Sequence, residues 1–139
     1  MKLSEDQIRQ IVDQLDAGFR CYVHKLTLEI ITIPNDSNYP DMDFSFWKND
    51  IKKIESKRDQ YTVIDPLETK DSFKMMAEFS SQLEDGNLKS KLISALTHSK
   101  PFKHFKFVID NSGGFRQQWF DFKNVWLQEW VREQISTWE

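Results

Sequence analysis

The sequence predicts an α+β fold, with a small three-stranded antiparallel sheet and a predominantly helical C-terminal half. Three observations support this. Alternating, β-branched runs occur in the first 65 residues, whereas apolar residues in the remainder recur at helical spacing. Aromatic residues make up 14% of the 139 residues, against only four glycines and four prolines. Few helix breakers and many large rings favour helices packed around an aromatic core.

The first predicted helix has the clearest start and stop signals in the chain. Ser4 can cap it, and Gln7 stands three residues further on, which is the spacing of a capping box. One apolar stripe at helical spacing follows: Ile8, Ile11, Val12 and Leu15. Gly18 then predicts the end of the helix.

Three strands are predicted in the N-terminal half. Residues 19–24 alternate and residues 28–33 are β-rich, and a tight turn at 26–27 would join them as a hairpin. Residues 61–64 form the third strand, closed by Asp65-Pro66. A second helix is predicted before that strand by apolar residues at helical spacing: Phe44, Trp47, Ile51 and Ile54.

The chain after Pro66 is predicted to be helical throughout. Helices are expected from Thr69 to the break at Gly86-Asn87, then across 88–96, then from a start at 99–101, where proline suits the first turn. The first of them shows an apolar stripe of Phe73, Met76, Ser80 and Leu83, and the next one of Leu88, Leu92, Ala95 and Leu96. After the break at 111–114, a long final helix runs towards Trp138. We expect one domain over residues 1–139, in which a seam near residue 66 could separate 1–65 from 66–139.

A set of residues across this helical half resembles a known family. The set comprises Ile64-Asp65-Pro66, Phe73, Met76, Phe79, Leu92, Ala95, Leu96, Pro101-Phe102, Phe105-Lys106, Trp119-Phe120 and Trp130. In this order and spacing the chain resembles the bacterial Uncharacterised Protein Family 0158 over roughly its last 75 residues. Family members tend to carry Thr-Gly in the hairpin, where this chain has Thr27-Leu28. The resemblance implies one compact bacterial domain and brings no established activity or catalytic residue.

Composition also predicts the compartment. The net charge is −3, which argues against a wholesale nucleic-acid coat or a polybasic membrane anchor. Cys21 is the single cysteine, so no internal disulfide can form. The N-terminus lacks the pattern of a signal peptide, and no apolar run approaches the roughly 18 residues of a membrane helix. We therefore expect a protein of the reducing cytoplasm with no membrane association.

The search for catalytic or metal chemistry gives little. The three histidines show no HExxH spacing, and there is no nucleophile elbow or phosphate-binding loop, so we expect no metal and no cofactor. Cys21 and His24 should point to opposite faces of their strand. His24 would stand opposite Glu29 if the turn is at 26–27. A cross-strand contact is favoured there over an acid–base pair. Enzymatic activity is open, and the balance is against it.

Charge segregation is the first feature above background. Residues 86–109 hold five lysines and no acid in an otherwise acidic chain. A basic interaction surface is predicted from Lys89, Lys91, Lys100, Lys103, His104, Lys106 and Phe107. Phe107 falls among the lysines on a helical wheel and not in the apolar stripe. Three explanations stay open: Phe107 packs beneath a neighbouring element while the lysines are solvated, or the surface binds an acidic protein, or it binds nucleic acid.

The final helix is the second feature. It carries two apolar stripes about 100° apart, where a surface helix normally shows one. The first is Phe115, Trp119, Phe122, Trp126 and Trp130. The second is Phe120, Leu127, Val131 and Trp138, which either forms a second internal layer or faces a partner.

These features predict a non-enzymatic protein-interaction module, which binds an unknown protein partner or associates with itself. The alternative is a nucleic-acid-associated accessory protein that uses the basic stretch 89–107.

Overall fold

A computed structural model describes residues 2–138, which form six α-helices and three strands. In chain order these are α1 (Glu5–Asp16), β1 (Phe19–His24), β2 (Ile30–Pro34), α2 (Lys48–Ser56), β3 (Tyr61–Ile64), α3 (Thr69–Gln82), α4 (Gly86–Leu96), α5 (Pro101–Asp110) and α6 (Phe115–Ser136). The α+β prediction is confirmed. The chain divides into two compact units: residues 2–66 together with 128–138, and residues 67–127.

Helix α1 begins and ends where its sequence signals predict. The Ser4 hydroxyl accepts from the Gln7 N–H at 3.1 Å, and the Ser4 N–H donates to Gln7 Oε1 at 2.8 Å, which completes the capping box. Gly18 follows the C-cap with φ of +85°, and a Cβ there would lie 3.1 Å from Tyr39. The Tyr39 hydroxyl closes the turn by donating to the Ala17 carbonyl. Both the backbone angle and the space therefore favour glycine at position 18.

The sheet has strand order β2-β1-β3, and both pairings are antiparallel. The hairpin register is the predicted one, because the His24 N–H donates to the Glu29 carbonyl at 2.9 Å. Strand β2 nevertheless begins at Ile30, not at the predicted residue 28. Leu28 has a positive φ of 62°, which ends the turn in a left-handed conformation and delays the strand. This is the residue that stands where the resembled family tends to carry glycine.

The unit formed by residues 2–66 and 128–138 packs one helix on each face of the sheet. On one face, α1 contributes four buried residues, Ile8, Ile11, Val12 and Leu15. The Cys21 thiol of β1 lies on the same face, 4.0 Å from the Ile11 carbonyl oxygen. On the other face, Ile31, Ile33 and Tyr61 form a core cluster with Ile54 of α2. Residues of alternate parity along β1 therefore serve different layers.

The unit formed by residues 67–127 is helical, and the predicted stripe of α3 is partly wrong. The structure buries Met75, Phe79, Ser80 and Leu83, whereas Phe73 is 40% exposed and Met76 is half-buried. Both Phe73/Met76 and Met75/Phe79 are apolar pairs at helical spacing, so periodicity alone could not choose between them. The predicted stripe of α4 is confirmed, since Leu88, Leu92, Ala95 and Leu96 are all buried.

An aromatic cluster forms the centre of this helical unit. The Trp119 ring of α6 lies 5.2 Å from Phe79 and 5.0 Å from Phe105, both edge-on, between ring centroids. Phe122 adds a further contact 5.3 Å from Phe79. Edge-to-face pairs at these separations contribute beyond the area that they bury. The first predicted stripe of α6 therefore supplies core residues.

None of the helices within residues 2–138 is both long enough and apolar enough to cross a membrane.

Alanine at a given position usually makes a protein more stable than glycine does. We predict that the left-handed conformation at Leu28 reverses this order. Leu28→Ala and Leu28→Gly both remove the side chain, but only glycine relaxes the positive φ. The glycine variant should be more stable than the alanine variant by about 1 kcal/mol in urea unfolding. Equal or greater stability of the alanine variant would show that residue 28 is not left-handed in solution.

We expect Trp119→Ala to cost about 3–5 kcal/mol of unfolding free energy, because it empties the centre of the aromatic cluster. Phe46→Ala provides the matched control, since Phe46 is 86% exposed and its loss should stay within about 0.5 kcal/mol. Denaturant unfolding of both variants measures the difference. Similar values for the two would contradict the central position of Trp119.

Candidate interaction surface

The predicted basic residues lie on α4, on α5 and on the link between them. We call the following seven residues the basic face: Lys89, Lys91, Lys100, Lys103, His104, Lys106 and Phe107. Asp85 caps α4 by accepting from the Leu88 N–H at 2.9 Å, and Pro101 occupies the first turn of α5. The apolar sides of both helices are buried, so their polar sides are left for solvent.

Phe107 is the unusual member of the basic face. It follows Lys100, Lys103 and His104 by seven, four and three residues, which places all four on one side of α5. Its side chain is 69% exposed, although Phe105 and Ile109 on the opposite side are 1% and 2% exposed. The explanation that Phe107 packs beneath a neighbouring element is therefore wrong. The ring is presented to solvent among cationic side chains.

An open groove of about 340 Å³ lies between α4 and α5. Its lining holds three members of the basic face, with serines and one further histidine: Asn87, Ser90, Lys91, Ser94, Ala95, His98, His104, Phe107 and Val108. No carboxylate is among these lining residues. The groove is therefore neutral to cationic along its whole length, which suits an anionic group.

The structure brings only part of the basic face into this groove. Lys91, His104 and Phe107 line it, whereas Lys100, Lys103 and Lys106 are exposed outside it. Lys89 is half-buried and stands two residues from Lys91, so the two project from different sides of α4. The basic face is thus a groove with a neighbouring lysine surface, and Lys89 lies at its margin.

His98 is a residue of this site that the sequence prediction left out. Its ring centroid lies 4.2 Å from that of His104, with 32° between the ring planes. His98 follows α4, and its backbone N–H donates to the Ala95 carbonyl at 3.2 Å. The reversal of the chain before α5 sets it beside His104. No spacing signal in the sequence indicates such a pair, because it depends on the angle of the connection.

Asp110 is a second residue that the sequence prediction does not include, because it lies one position beyond the acid-free stretch 86–109. It follows Phe107 by three residues and Lys106 by four, so it shares their side of α5. Its carboxylate pairs with Arg116, with Nε and Oδ1 3.2 Å apart. The lysine surface of α5 therefore ends at an acidic residue.

The second stripe of α6 does not form a continuous surface for a partner. Leu127 and Val131 are 3% and 0% exposed, so both serve the interior. Phe120 is half-buried, and its ring is covered by Arg116 at 4.7 Å and Lys123 at 5.2 Å from its centroid. Trp138 is half-buried and lines a separate pocket. The partner-facing alternative is therefore wrong for Leu127 and Val131, which are core residues. For Phe120 and Trp138 it stays a prediction.

The structure does not pair His24 with Glu29 as acid and base. His24 Nδ1 accepts from the N–H groups of Leu26 and Thr27, both at 3.1 Å, and Nε2 lies 3.2 Å from Gln60 Oε1. Glu29 instead binds Lys53, with Nζ and Oε1 2.8 Å apart. His24 therefore stabilises the hairpin turn.

Cys21 is fully buried, and burial raises the pKa of its thiol from an ordinary 9.0 to about 12. A thiol held in its neutral form is a poor nucleophile. Cys21 and His24 serve opposite faces of the sheet, as predicted, which leaves no thiolate–imidazole pair.

Fold and surface together define a small α+β protein with a three-stranded sheet and a helical unit that bears an exposed basic groove. The model of the uncharacterised protein family UPF0158 matches residues 4–138, and the chain belongs to that family. The UPF0158 protein PA5073 of Pseudomonas aeruginosa is 26% identical over 119 residues, which cover 86% of this chain and 72% of that protein. No solved structure matches the chain.

We predict that Cys21 makes stability depend on alkaline pH. The folded thiol keeps its proton up to about pH 12, whereas the unfolded thiol ionises near 9.0. Its contribution is therefore complete below pH 9 and is lost as the pH rises from 9 towards 12, by about 1.4 kcal/mol per pH unit. Urea unfolding at pH 8 and pH 10 measures this loss. Cys21→Ala is the control, since all other titrating groups are shared, and parallel pH profiles for the two proteins would contradict the prediction.

Proposed function

We propose that this chain is a non-enzymatic, cytoplasmic protein-interaction module that binds an acidic partner protein through its basic face. The observation that carries the proposal is the exposure of Phe107 at 69% among cationic side chains. A large apolar ring that the core does not use is a common anchor at protein interfaces. The surrounding lysines supply the charge that orients the partner.

The groove supports a partner that combines negative charge with an apolar anchor. Lys91 supplies positive charge, the two histidines supply hydrogen-bonding ring nitrogens, and Ala95 and Val108 supply apolar surface. The lysines of α5 stand beside this groove and are exposed. Such a surface favours a segment in which acidic residues flank an aliphatic or aromatic side chain.

One observation favours a protein partner over nucleic acid. Single-stranded nucleic acid is bound on successive aromatic platforms along a basic groove. Of the aromatic side chains on α5, Phe107 is exposed, whereas Phe105 is buried and Phe102 is half-buried.

The nucleic-acid alternative has one specific observation in its favour. The His98 and His104 rings lie 4.2 Å apart beside Phe107, and imidazole rings can stack on bases. We keep this alternative as an outcome of the experiment below.

We predict that charge reversal at Lys100→Glu, Lys103→Glu and Lys106→Glu together abolishes partner capture. The experiment is affinity purification of the tagged chain from the native cell, with and without nuclease, followed by binding of the purified partner to the purified chain. The wild type should retain a nuclease-resistant protein, and direct binding should weaken as salt rises. Phe107→Ala should weaken it by about tenfold or more without changing the melting temperature.

The matched control is Lys48→Glu, Lys52→Glu and Lys57→Glu, which changes the charge equally on exposed lysines of and next to α2. This control should bind as the wild type does. If the control and the α5 reversal lose binding equally, net charge and not the basic face is responsible. Loss of the captured material on nuclease treatment would transfer support to the nucleic-acid alternative, and capture by a second copy of the chain would identify self-association.

A further inference from the structure

A second pocket lies in the unit formed by residues 2–66 and 128–138, and the proposed function does not use it. Its volume is about 800 Å³, within the range of small-molecule sites. Four elements supply its walls: the start of α1, the hairpin loop, β3 and the end of α6. The apolar part of the lining comprises Leu3, Ile8, Leu28, Ile135 and Trp138.

The charged part of the lining is cationic. Lys2, Lys25 and Arg132 line the pocket together with Glu5, which is the one acidic residue in the lining. Arg132 already holds that carboxylate, with Nη2 and Oε2 2.6 Å apart. The ammonium groups of Lys2 and Lys25 form no ion pair with any carboxylate within residues 2–138. Within the described part of the chain, no carboxylate therefore compensates these two lysine charges.

Leu28 links the apolar wall to a feature of the backbone. It lines the pocket and is half-buried, although its φ of 62° is unfavourable for a branched side chain. Strained backbone of this kind is found at ligand clamps, where the side chain has a role that outweighs the strain. The turn places Lys25 and Leu28 within three residues of each other, so one loop supplies both a cation and apolar surface.

We propose that this pocket binds a small anionic amphiphile, a molecule with an apolar body and a carboxylate, sulfonate or phosphate head. The apolar body lies against Ile8, Leu28, Ile135 and Trp138. The anionic head is bound by Lys2 and Lys25. Arg132 stays with Glu5 and holds the end of α6 to the start of α1, which shapes the wall between them.

The experiment uses the full chain and the probe 8-anilinonaphthalene-1-sulfonate, which combines an aromatic body with a sulfonate. We expect saturable binding of one probe molecule per chain in a fluorescence titration confirmed by calorimetry. Decanoate should displace the probe, whereas decanol, of equal chain length but without charge, should displace it about tenfold less well. Equal displacement by decanol would overturn the proposal, because binding would then depend on the apolar body alone.

Variants locate the binding. Lys2→Glu with Lys25→Glu should weaken probe binding by about tenfold. Lys52→Glu with Lys57→Glu, which changes net charge equally at exposed positions outside the pocket, should leave it unchanged. Leu28→Gly, which relaxes the backbone, should also weaken probe binding, while the unfolding transition of this variant stays cooperative. Equal affinities for the two charge-reversed proteins would overturn the proposal, as would full probe binding by the glycine variant.

Discussion

Phe105 and Ile109, four residues apart on α5, are almost completely buried, and their burial sets the rotation of that helix about its own axis. The basic face depends on this constraint. With Phe105 turned inward against Trp119, the residues two positions before and after it must turn outward. Lys103 and Phe107 are those residues. The exposure of a phenylalanine is thus a consequence of core packing on the opposite side of the same helix, and α4 is set in the same way by Leu88 and Leu92.

Local signals in the sequence predicted the elements whose causes are local. The capping box at Ser4, the hairpin register around residues 26–27 and the core side of α4 each depend on residues close together in the chain, and each is confirmed. The predicted stripe of α3 is wrong at Phe73 and Met76 because two apolar pairs compete, and the packing of Phe79 on Trp119 decides between them. Likewise, the left-handed Leu28 has no glycine or asparagine to signal it.

The candidate site also combines features that local sequence predicts with features that depend on how helices pack. The acid-free stretch 86–109 predicts its lysines and helical rotation predicts the position of Phe107, and both are local properties. The groove itself, the neighbouring rings of His98 and His104, and the carboxylate of Asp110 depend on where two helices lie relative to each other or on where the stretch ends. The role of the second stripe of α6 could not be predicted from the sequence, because a helix buried on two sides and a helix with one side left for a partner have the same apolar pattern. Only the burial of Leu127 and Val131 in the structure distinguishes them.

Helix α6 also has a consequence for the order in which the chain acquires its structure. Its 22 residues are divided between the two units, with the boundary after Leu127. The helical unit is contiguous and has all its parts once residue 127 has left the ribosome. The sheet-containing unit is discontinuous, because it includes Val131, which is 0% exposed, and Arg132, the ion-pair partner of Glu5. Residues 2–66 are therefore translated before residues 128–138, which complete the same unit.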